Sequence, residues 1–232
     1  MLAKLLILNS LFIFTGCSNN PEDPLEPFNR SVFSFNETLD HYINEPIAQG
    51  YAHVVPGDAR SMITNFFNNL QEPVHVVNEL LQFKFFKAVD DTERFVFNTS
   101  FGVLGFFDIA DETLNLPLRP QTLATTFSYW TNNAPSTYIV LPFFGSSTLR
   151  NTAADAISAV VSMDTNQVDI DGKSNRSVNY AINPFSILKQ VNTRANLLKY
   201  SHLMELQLDP YIATKQHYLN QQNQLYRKLN EA

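Results

Sequence analysis

The chain has 232 residues, a formal net charge of −6 and a single cysteine, so it can form no internal disulfide. An acidic chain lacks the clustered Lys and Arg that phosphate backbones require, which argues against a nucleic-acid-binding protein. Charged residues make up only 16% of the chain, and phenylalanine contributes 19 residues, whereas about 25% charge is usual in soluble domains. This composition is typical of a protein with much apolar surface to hide, or with some of it left in lipid.

The N-terminus has the parts of a bacterial export signal. Lys4 supplies a positive charge, Leu5 to Phe14 form an apolar stretch, and Thr15-Gly16-Cys17 resembles a lipobox. The apolar stretch is too short for a spanning helix, which needs about 20 residues. We therefore predict a signal peptide at residues 1–16, with a diacylglycerol on the Cys17 thiol and a fatty acyl chain such as palmitate on its amine. The alternative is an ordinary secretory signal with an incidental cysteine.

The mature chain begins with a short segment and continues as one domain. Residues 17–27 are expected to be a lipidated tether, kept extended by three prolines. Residues 28–232 contain no repeat and no linker, which predicts a single domain that lies against the membrane.

Apolar periodicity predicts helices in the first half of this domain. Phe28 to Ile43 carries an apolar stripe at helical spacing, and Pro46 and Gly50 are expected to end it. Asp58 is the predicted N-cap of the next segment, in which Pro73 is expected to separate two bent helices.

The remaining elements are also mainly helical. A polar loop is expected at residues 164–177 and a proline-containing connection at residues 111–120. The predicted helices are Asp90–Phe101, Ser147–Val161, Ser186–Tyr200 and Tyr211–Leu229, with a strand at Tyr138–Leu141 and either helix or strand at Thr122–Trp130.

Phenylalanine is concentrated in the N-terminal half of the chain. Rings interleaved with Lys84 and Lys87 suit a membrane interface, where an ammonium group can reach lipid headgroups. The alternative is that these rings fill an ordinary core, since aromatic stripes at helical spacing usually do. The candidate lipid-facing residues are Phe33, Phe35, Phe66, Phe67, Phe83, Phe85 and Phe86.

Several motifs occur in an order that identifies a family. Asp23-Pro24-Leu25-Glu26-Pro27-Phe28-Asn29-Arg30 resembles the opening signature of the VacJ/MlaA family of outer-membrane lipoproteins. Similar stretches follow in family order: Asn65 to Leu70 with Glu72-Pro73, Arg94-Phe95 with Asn98-Thr99, Gly105 to Ala110, Leu141-Pro142-Phe143, Thr148-Leu149-Arg150, Arg194 to Leu198, and Asp209-Pro210-Tyr211.

The resemblance implies a fold and a role. It implies a mostly helical ring of short amphipathic helices, with at most a short hairpin, embedded in the inner leaflet at the periplasmic face of the outer membrane. A central amphipathic channel would remove phospholipid from the outer leaflet and maintain lipid asymmetry. The implied partners are membrane phospholipid, a trimeric outer-membrane porin, and a soluble periplasmic lipid carrier with its inner-membrane transporter. A structural lipoprotein that scaffolds the porin without conducting lipid is the alternative.

A lipid channel needs polar groups for the headgroup. Arg30, Arg94 and Arg150 lie in family-like motifs and are candidate headgroup contacts, because guanidinium groups bind phosphate in a bidentate manner. The alternative is that each pairs with a carboxylate, and Glu26 and Asp91 are the nearby partners for Arg30 and Arg94.

The turn before the Leu-Pro segment is the candidate gating element. Family members are often glycine-rich there, whereas residues 131–136 contain no glycine, which predicts less backbone freedom. The candidate gating residues are Asn132, Asn133, Ala134 and Pro135. Nearby, Asn151 stands where the family favours Asp, so the partner of Arg150 is left open.

Signatures of catalysis and of metal binding are weak. The chain has no Gly-x-Ser-x-Gly elbow and no His-x-x-x-His pair. Asp169-Ile170-Asp171-Gly172 has no Glu six residues after the glycine, so it is better interpreted as a polar loop than as a calcium site. We therefore expect no enzyme, no metal and no cofactor besides the acyl groups on Cys17; a lipid hydrolase is the weaker alternative.

Overall fold

The computed structural model describes residues 23–165 and 184–231. These residues are mostly helical with one short hairpin, as predicted, and they also contain one π-helical turn (Asp40–Asn44). The helices are α1 (Glu26–Leu39), α2 (Glu45–Val54), α3 (Gly57–Leu81), α4 (Phe85–Ser100), α5 (Ile109–Leu114), α6 (Leu123–Trp130), α7 (Leu149–Thr165), α8 (Pro184–Glu205) and α9 (Pro210–Glu231), and the strands are β1 (Tyr138–Leu141) and β2 (Gly145–Thr148).

The first helical region continues past the residues expected to end it. Pro46 lies in the first turn of α2, where the missing N–H would have no intrahelical acceptor, so it does not break the helix. Gly50 lies inside α2. The π-helical turn joins α1 to α2, and the prediction of a break at Pro46 and Gly50 was wrong.

Helix α3 is continuous over 25 residues and includes Pro73. Two helices separated at Pro73 had been predicted, and that prediction was wrong. An internal proline costs roughly 3 kcal/mol, and extensive packing of α3 against α4 offsets this cost. Pro56 rather than Asp58 is the N-cap residue, and no side chain caps this end.

Other boundaries also differ from those predicted. Helix α4 begins five residues before Asp90, and α5 occupies the start of the connection expected at residues 111–120. The ambiguous segment before Trp130 is helical, and Thr122 caps it with a capping box. Ser147 belongs to β2 rather than to a helix.

Two asparagines of α1 hold the hairpin in place. Asn29 accepts a hydrogen bond from the Val140 amide at 2.8 Å and donates to the Tyr138 carbonyl at 3.3 Å. Seven residues further on, Asn36 accepts from the Phe143 amide at 2.9 Å and donates to the Leu141 carbonyl at 2.9 Å. Each asparagine side chain therefore binds one backbone carbonyl and one backbone N–H of the hairpin that would otherwise lack a partner.

A small apolar core lies where α1, β1 and α9 meet. Tyr138, Val140 and Tyr211 are its buried members. Asp23 is buried beside them and accepts hydrogen bonds from Lys215 at 2.9 Å and from the Tyr211 hydroxyl. The start of the domain is thereby fastened to α9.

Successive contacts between elements close into a ring. Helix α4 packs on the outside of α3, and α9 contacts α6, β2 and α8. The circuit runs from α1 through β1, β2, α7, α6, α3, α8 and α2 and returns to α1 through the π-helical turn. Among the described residues, no helix combines the length and the apolar character needed to cross a membrane.

Candidate functional site

The polarity of the molecule is inverted relative to a soluble globular protein. Within the described residues, buried positions are more often polar or charged than apolar, and half of the buried apolar residues are alanines. Large apolar side chains instead lie exposed on most elements. Buried polar groups and contiguous exposed apolar surface are both unusual in soluble globular proteins, and each therefore indicates a functional role.

The candidate lipid-facing phenylalanines fall into two groups. Phe35, Phe83, Phe85 and Phe86 are exposed, and Phe86 reaches 88%. Of the other three, Phe67 is buried and must be corrected, whereas Phe33 and Phe66 are half-buried and make contacts with other rings. Phe67 is 7% exposed, Phe66 stacks on Phe106 at 5.0 Å between ring centroids, and Phe33 packs edge-on against Tyr211 at 5.8 Å.

The exposed rings are densest at the turn between α3 and α4. We call Phe83, Phe85, Phe86 and Trp130 the aromatic tip; the Phe83 and Trp130 rings contact edge-to-face at 5.7 Å. Lys84 does not extend outward from this tip as expected. Its ammonium donates to the Leu229 carbonyl and burial lowers its pKa.

Arg94 lies in a buried network between α3, α4 and α5. It is 2% exposed, and its Nε donates to Glu72 at 2.6 Å. Its remaining nitrogens donate to Asp108 and to the Leu116 carbonyl. The guanidinium group therefore donates to protein acceptors from all three of its nitrogens. Arg94 is not free to bind a lipid headgroup, and the prediction for this residue was wrong.

Asp91, the predicted partner of Arg94, instead forms an ion pair with Arg119. Asp91 accepts from Arg119 at 2.6 Å, and Arg119 also pairs with Asp90 at 3.2 Å. Glu79 lies 3.7 Å from Arg119 and is fully buried. Burial, together with the neighbouring Asp91 carboxylate, raises the pKa of Glu79 to about 8.

Sequence reasoning missed a cluster of metal-ligating side chains. Glu72, His75 and Asp91 are all buried, and one ligand atom from each lies within 4.8 Å of the others. The sequence contains no His-x-x-x-His pair, which is the spacing typical of a zinc site on a helix. The Glu-x-x-His spacing at residues 72–75 was the available signal, since it places both side chains on one helix face.

Arg30 is paired with carboxylates as the alternative interpretation expected. Its Nε contacts Glu26 at 2.8 Å, and both terminal nitrogens bind Asp209, at 2.8 and 3.2 Å. The guanidinium group also lies 4.5 Å from the centroid of the Tyr211 ring. Because both terminal nitrogens already bind Asp209, Arg30 has no pair of nitrogens left for a bidentate contact with phosphate.

Arg150 is bound to the candidate gating turn. Its guanidinium group donates to the Ser128 hydroxyl at 2.9 Å and to the Ala134 carbonyl, and lies over the Tyr226 ring. No carboxylate in the described part of the chain lies within 4.0 Å of it. Among the three predicted arginines, Arg150 therefore retains the most capacity to attract an anion.

The candidate gating turn is held by hydrogen bonds despite its lack of glycine. Asn132 and Asn133 both adopt positive φ angles, of 49° and 56°, a conformation that asparagine tolerates better than most residues. The Asn133 side chain accepts from Ser128 at 2.9 Å, and its amide donates to the Ser128 carbonyl at 2.8 Å. Ala134 and Pro135 are exposed.

A polar cleft lies between the start of α3 and helix α8. Its volume is about 650 Å³, and Arg60 lines it together with Ser61, Asn196 and Lys199. Arg60 donates to the Ala195 carbonyl at 3.3 Å, while its buried Nε has no hydrogen-bond partner within the described residues. With Asp58, which also lines it, the cleft presents two cations, one carboxylate and two neutral hydrogen-bonding side chains to a bound molecule.

Two predicted features lie outside the described residues. These are Cys17 with its lipobox and the polar loop at Asp169-Ile170-Asp171-Gly172.

Comparison with known proteins agrees with the fold. A family model described as MlaA lipoprotein matches residues 21–225. The chain is 34% identical to the intermembrane phospholipid transport system lipoprotein MlaA of Escherichia coli, covering 89% of this chain and 81% of the relative. It is 31% identical to the protein of the same name from Haemophilus influenzae, covering 92% and 86%.

A solved structure is also similar. One chain of a structure described as the structural basis for maintenance of bacterial outer membrane lipid asymmetry superposes with a TM-score of 0.69 and 30% identity. The superposition covers 88% of this chain and 98% of that chain. The family match, the sequence relatives and the shared fold agree: this chain belongs to the MlaA lipoprotein family.

Proposed function

We propose that this protein is an outer-membrane lipoprotein of an intermembrane phospholipid transport system. It removes phospholipid from the outer leaflet through a central amphipathic channel and thereby maintains lipid asymmetry. It is anchored at the periplasmic face by acyl chains on Cys17 and has no enzymatic activity. The observation that carries this proposal is the inverted polarity of the ring.

The physical basis is the cost of moving a headgroup through hydrocarbon. An isolated charge or an unpaired polar group loses several kcal/mol or more on leaving water for an apolar medium. A ring with polar groups inside and apolar groups outside lowers that cost while remaining in the membrane itself. The exposed aromatic tip gives the ring an apolar surface suited to acyl chains.

Within this proposal, Arg150 and Arg60 replace Arg30 and Arg94 as the headgroup contacts. Neither Arg150 nor Arg60 has a carboxylate within 4.0 Å in the described ranges, so neither charge is already paired in a salt bridge there. The cleft at Arg60 also includes Lys199 and has the volume of a small-molecule pocket.

The proposed partners are those that the family resemblance implies. The sequence contains no nucleotide-binding loop, so direction must be imposed by other proteins. We propose a trimeric outer-membrane porin beside the ring, and a soluble periplasmic carrier that passes lipid to an inner-membrane transporter.

Gene deletion with complementation tests the function in the bacterium that encodes the protein. Deletion is expected to increase phospholipid in the outer leaflet, measured as lipid cleaved by added phospholipase on intact cells. The wild-type gene is expected to reverse the increase. Unchanged leaflet composition and unchanged detergent sensitivity would refute the proposal.

Two substitutions separate a conduit from a scaffold. Arg150→Gln is expected to restore porin pull-down but not asymmetry, because it removes a cation without removing apolar surface. Arg227→Gln, at an exposed position of α9, is the matched control and is expected to restore both. If Arg150→Gln and Arg60→Gln together leave asymmetry intact, the scaffold function is favoured instead.

A further inference from the structure

The cluster of Glu72, His75 and Asp91 has the composition of a metal site. Glu72 and His75 lie three residues apart on one face of α3, and Asp91 faces them from α4. One ligand atom from each lies within 4.8 Å of the other two, and all three residues are at most 3% exposed. The cluster combines an imidazole nitrogen with carboxylate oxygens, as borderline transition metals require.

Oxygens beside this cluster have no hydrogen-bond donor. Asp91 Oδ2 and both carboxylate oxygens of Glu79 are buried and accept no hydrogen bond from the described residues. Glu79 lies one helical turn beyond His75 and is fully buried near Asp91. Arg119 Nε lies 3.7 Å from Glu79 Oε1, whereas Asp91 Oδ2 makes no hydrogen bond within the described residues, and an unsatisfied buried oxygen of this kind is open to a cation.

The charge of the region supports the same conclusion. Five carboxylates and two guanidinium groups gather here; three of the carboxylates, those of Glu72, Glu79 and Asp91, are buried, whereas Asp90 and Asp108 are partly exposed. The groups are Glu72, Glu79, Asp90, Asp91 and Asp108, with Arg94 and Arg119. Buried charges of one sign require a counter-charge.

The guanidinium groups orient the carboxylates. Arg94 binds Glu72 Oε1 at 2.6 Å, and Arg119 binds Asp91 Oδ1 at 2.6 Å. The second oxygen of Asp91 makes no hydrogen bond within the described residues, and the second oxygen of Glu72 is hydrogen-bonded to His75 Nδ1 at 3.2 Å, a contact that a bound ion would replace. Ligating carboxylates in metalloproteins are usually held by such outer hydrogen bonds.

We propose that Glu72, His75 and Asp91 bind one divalent transition-metal ion, with a solvent molecule as the fourth ligand. Zn²⁺ fits this set best, because it accepts mixed nitrogen and oxygen ligands in a tetrahedral arrangement. Ca²⁺ and Mg²⁺ prefer all-oxygen sites. The ion crosslinks α3 to α4 through ligands from both helices.

Metal binding by the purified mature protein in detergent tests the proposal. After removal of metal with a chelator, the protein is incubated with Zn²⁺ and dialysed, and bound zinc is measured by elemental analysis. We expect about one zinc per chain, as a four-coordinate site implies, with an increase in melting temperature. Substitution with Co²⁺ is expected to give the visible absorption bands of a tetrahedral ion.

Matched variants locate the ion. His75→Asn and Asp91→Asn are each expected to weaken Zn²⁺ binding by at least about tenfold. His53→Asn, at an exposed position of α2, is expected to bind zinc as the wild type does.

Two results would overturn the proposal. One is wild-type protein that retains no zinc and shows no tetrahedral Co²⁺ spectrum, in which case protons neutralise the cluster. The other is undiminished zinc binding by His75→Asn, which would place the ion elsewhere. The Co²⁺ spectrum is measured on wild-type protein and does not depend on a variant folding. None of these measurements involves lipid transport.

Discussion

At the scale of single residues, the arginines differ mainly in how completely their charge is compensated. Arg94 is removed from solvent and depends on three protein acceptors, whereas Arg30 is paired at the surface. A buried ion that loses its partner costs far more than an exposed one, because no water replaces the lost contact. The two residues therefore make a matched pair for mutagenesis.

Arg94→Gln is expected to lower the free energy of unfolding by about 3–5 kcal/mol, because it leaves Glu72 and Asp108 buried without a cation. Arg30→Gln is expected to cost no more than about 1 kcal/mol. Denaturant unfolding in detergent, followed by circular dichroism, measures both. Equal losses for the two variants would contradict the burial difference.

Short-range pairing could be predicted at some of these residues and not at others. The Glu26–Arg30 pair spans four residues of one helix, and this pairing is confirmed. Asp91, three residues before Arg94, was the partner expected by the same reasoning, and this was wrong. Arg94 instead bonds to Glu72 and Asp108, which are distant in sequence and brought near by helix packing.

At the scale of elements, two glycines have opposite surroundings. Gly105 follows the loop after α4 with a φ angle of +89°, and a Cβ there would lie 2.4 Å from Asn69 Cβ. Gly50 lies inside α2, and a Cβ would meet nothing within 4 Å. The loop after α4 thus approaches α3 so closely that a side chain has no room.

Gly105→Ala is expected to destabilise the protein by at least about 1–3 kcal/mol, because it adds both a strained backbone angle and a clash with Asn69. Gly50→Ala is the control and is expected to stabilise α2 by roughly 0.5–1 kcal/mol. Thermal unfolding of the two variants should therefore shift in opposite directions. A Gly105→Ala protein that melts with the wild type would show that this loop is not held against α3.

At the scale of the whole molecule, the exposed apolar surface predicts membrane association without acyl chains. The aromatic tip and the other exposed apolar side chains far exceed what isolated surface residues would contribute. A soluble protein held only by its lipid anchor would be released when that anchor is removed.

Protein carrying Cys17→Ser and exported behind an ordinary secretory signal is expected to stay in the membrane fraction after a high-salt wash. Phe85→Ser with Phe86→Ser should reduce this retention, because both rings are exposed at the aromatic tip. Quantitative immunoblotting of membrane and periplasmic fractions measures the effect. Quantitative release of the non-acylated protein into the periplasm would show that its apolar surface does not enter lipid.

The sequence alone was sufficient for the family, the mostly helical content and the short strand before Pro142, because ordered motifs and apolar periodicity are local properties. It also predicted the exposure of Phe83, Phe85 and Phe86. Only the tertiary structure decided which rings turn inward, which arginines are compensated, and that Glu72, His75 and Asp91 converge. Arg94 and the Glu72 cluster depend on the packing of α3 against α4, and Phe33 and Arg30 depend on contacts with the start of α9, which join side chains that no short-range pattern connects.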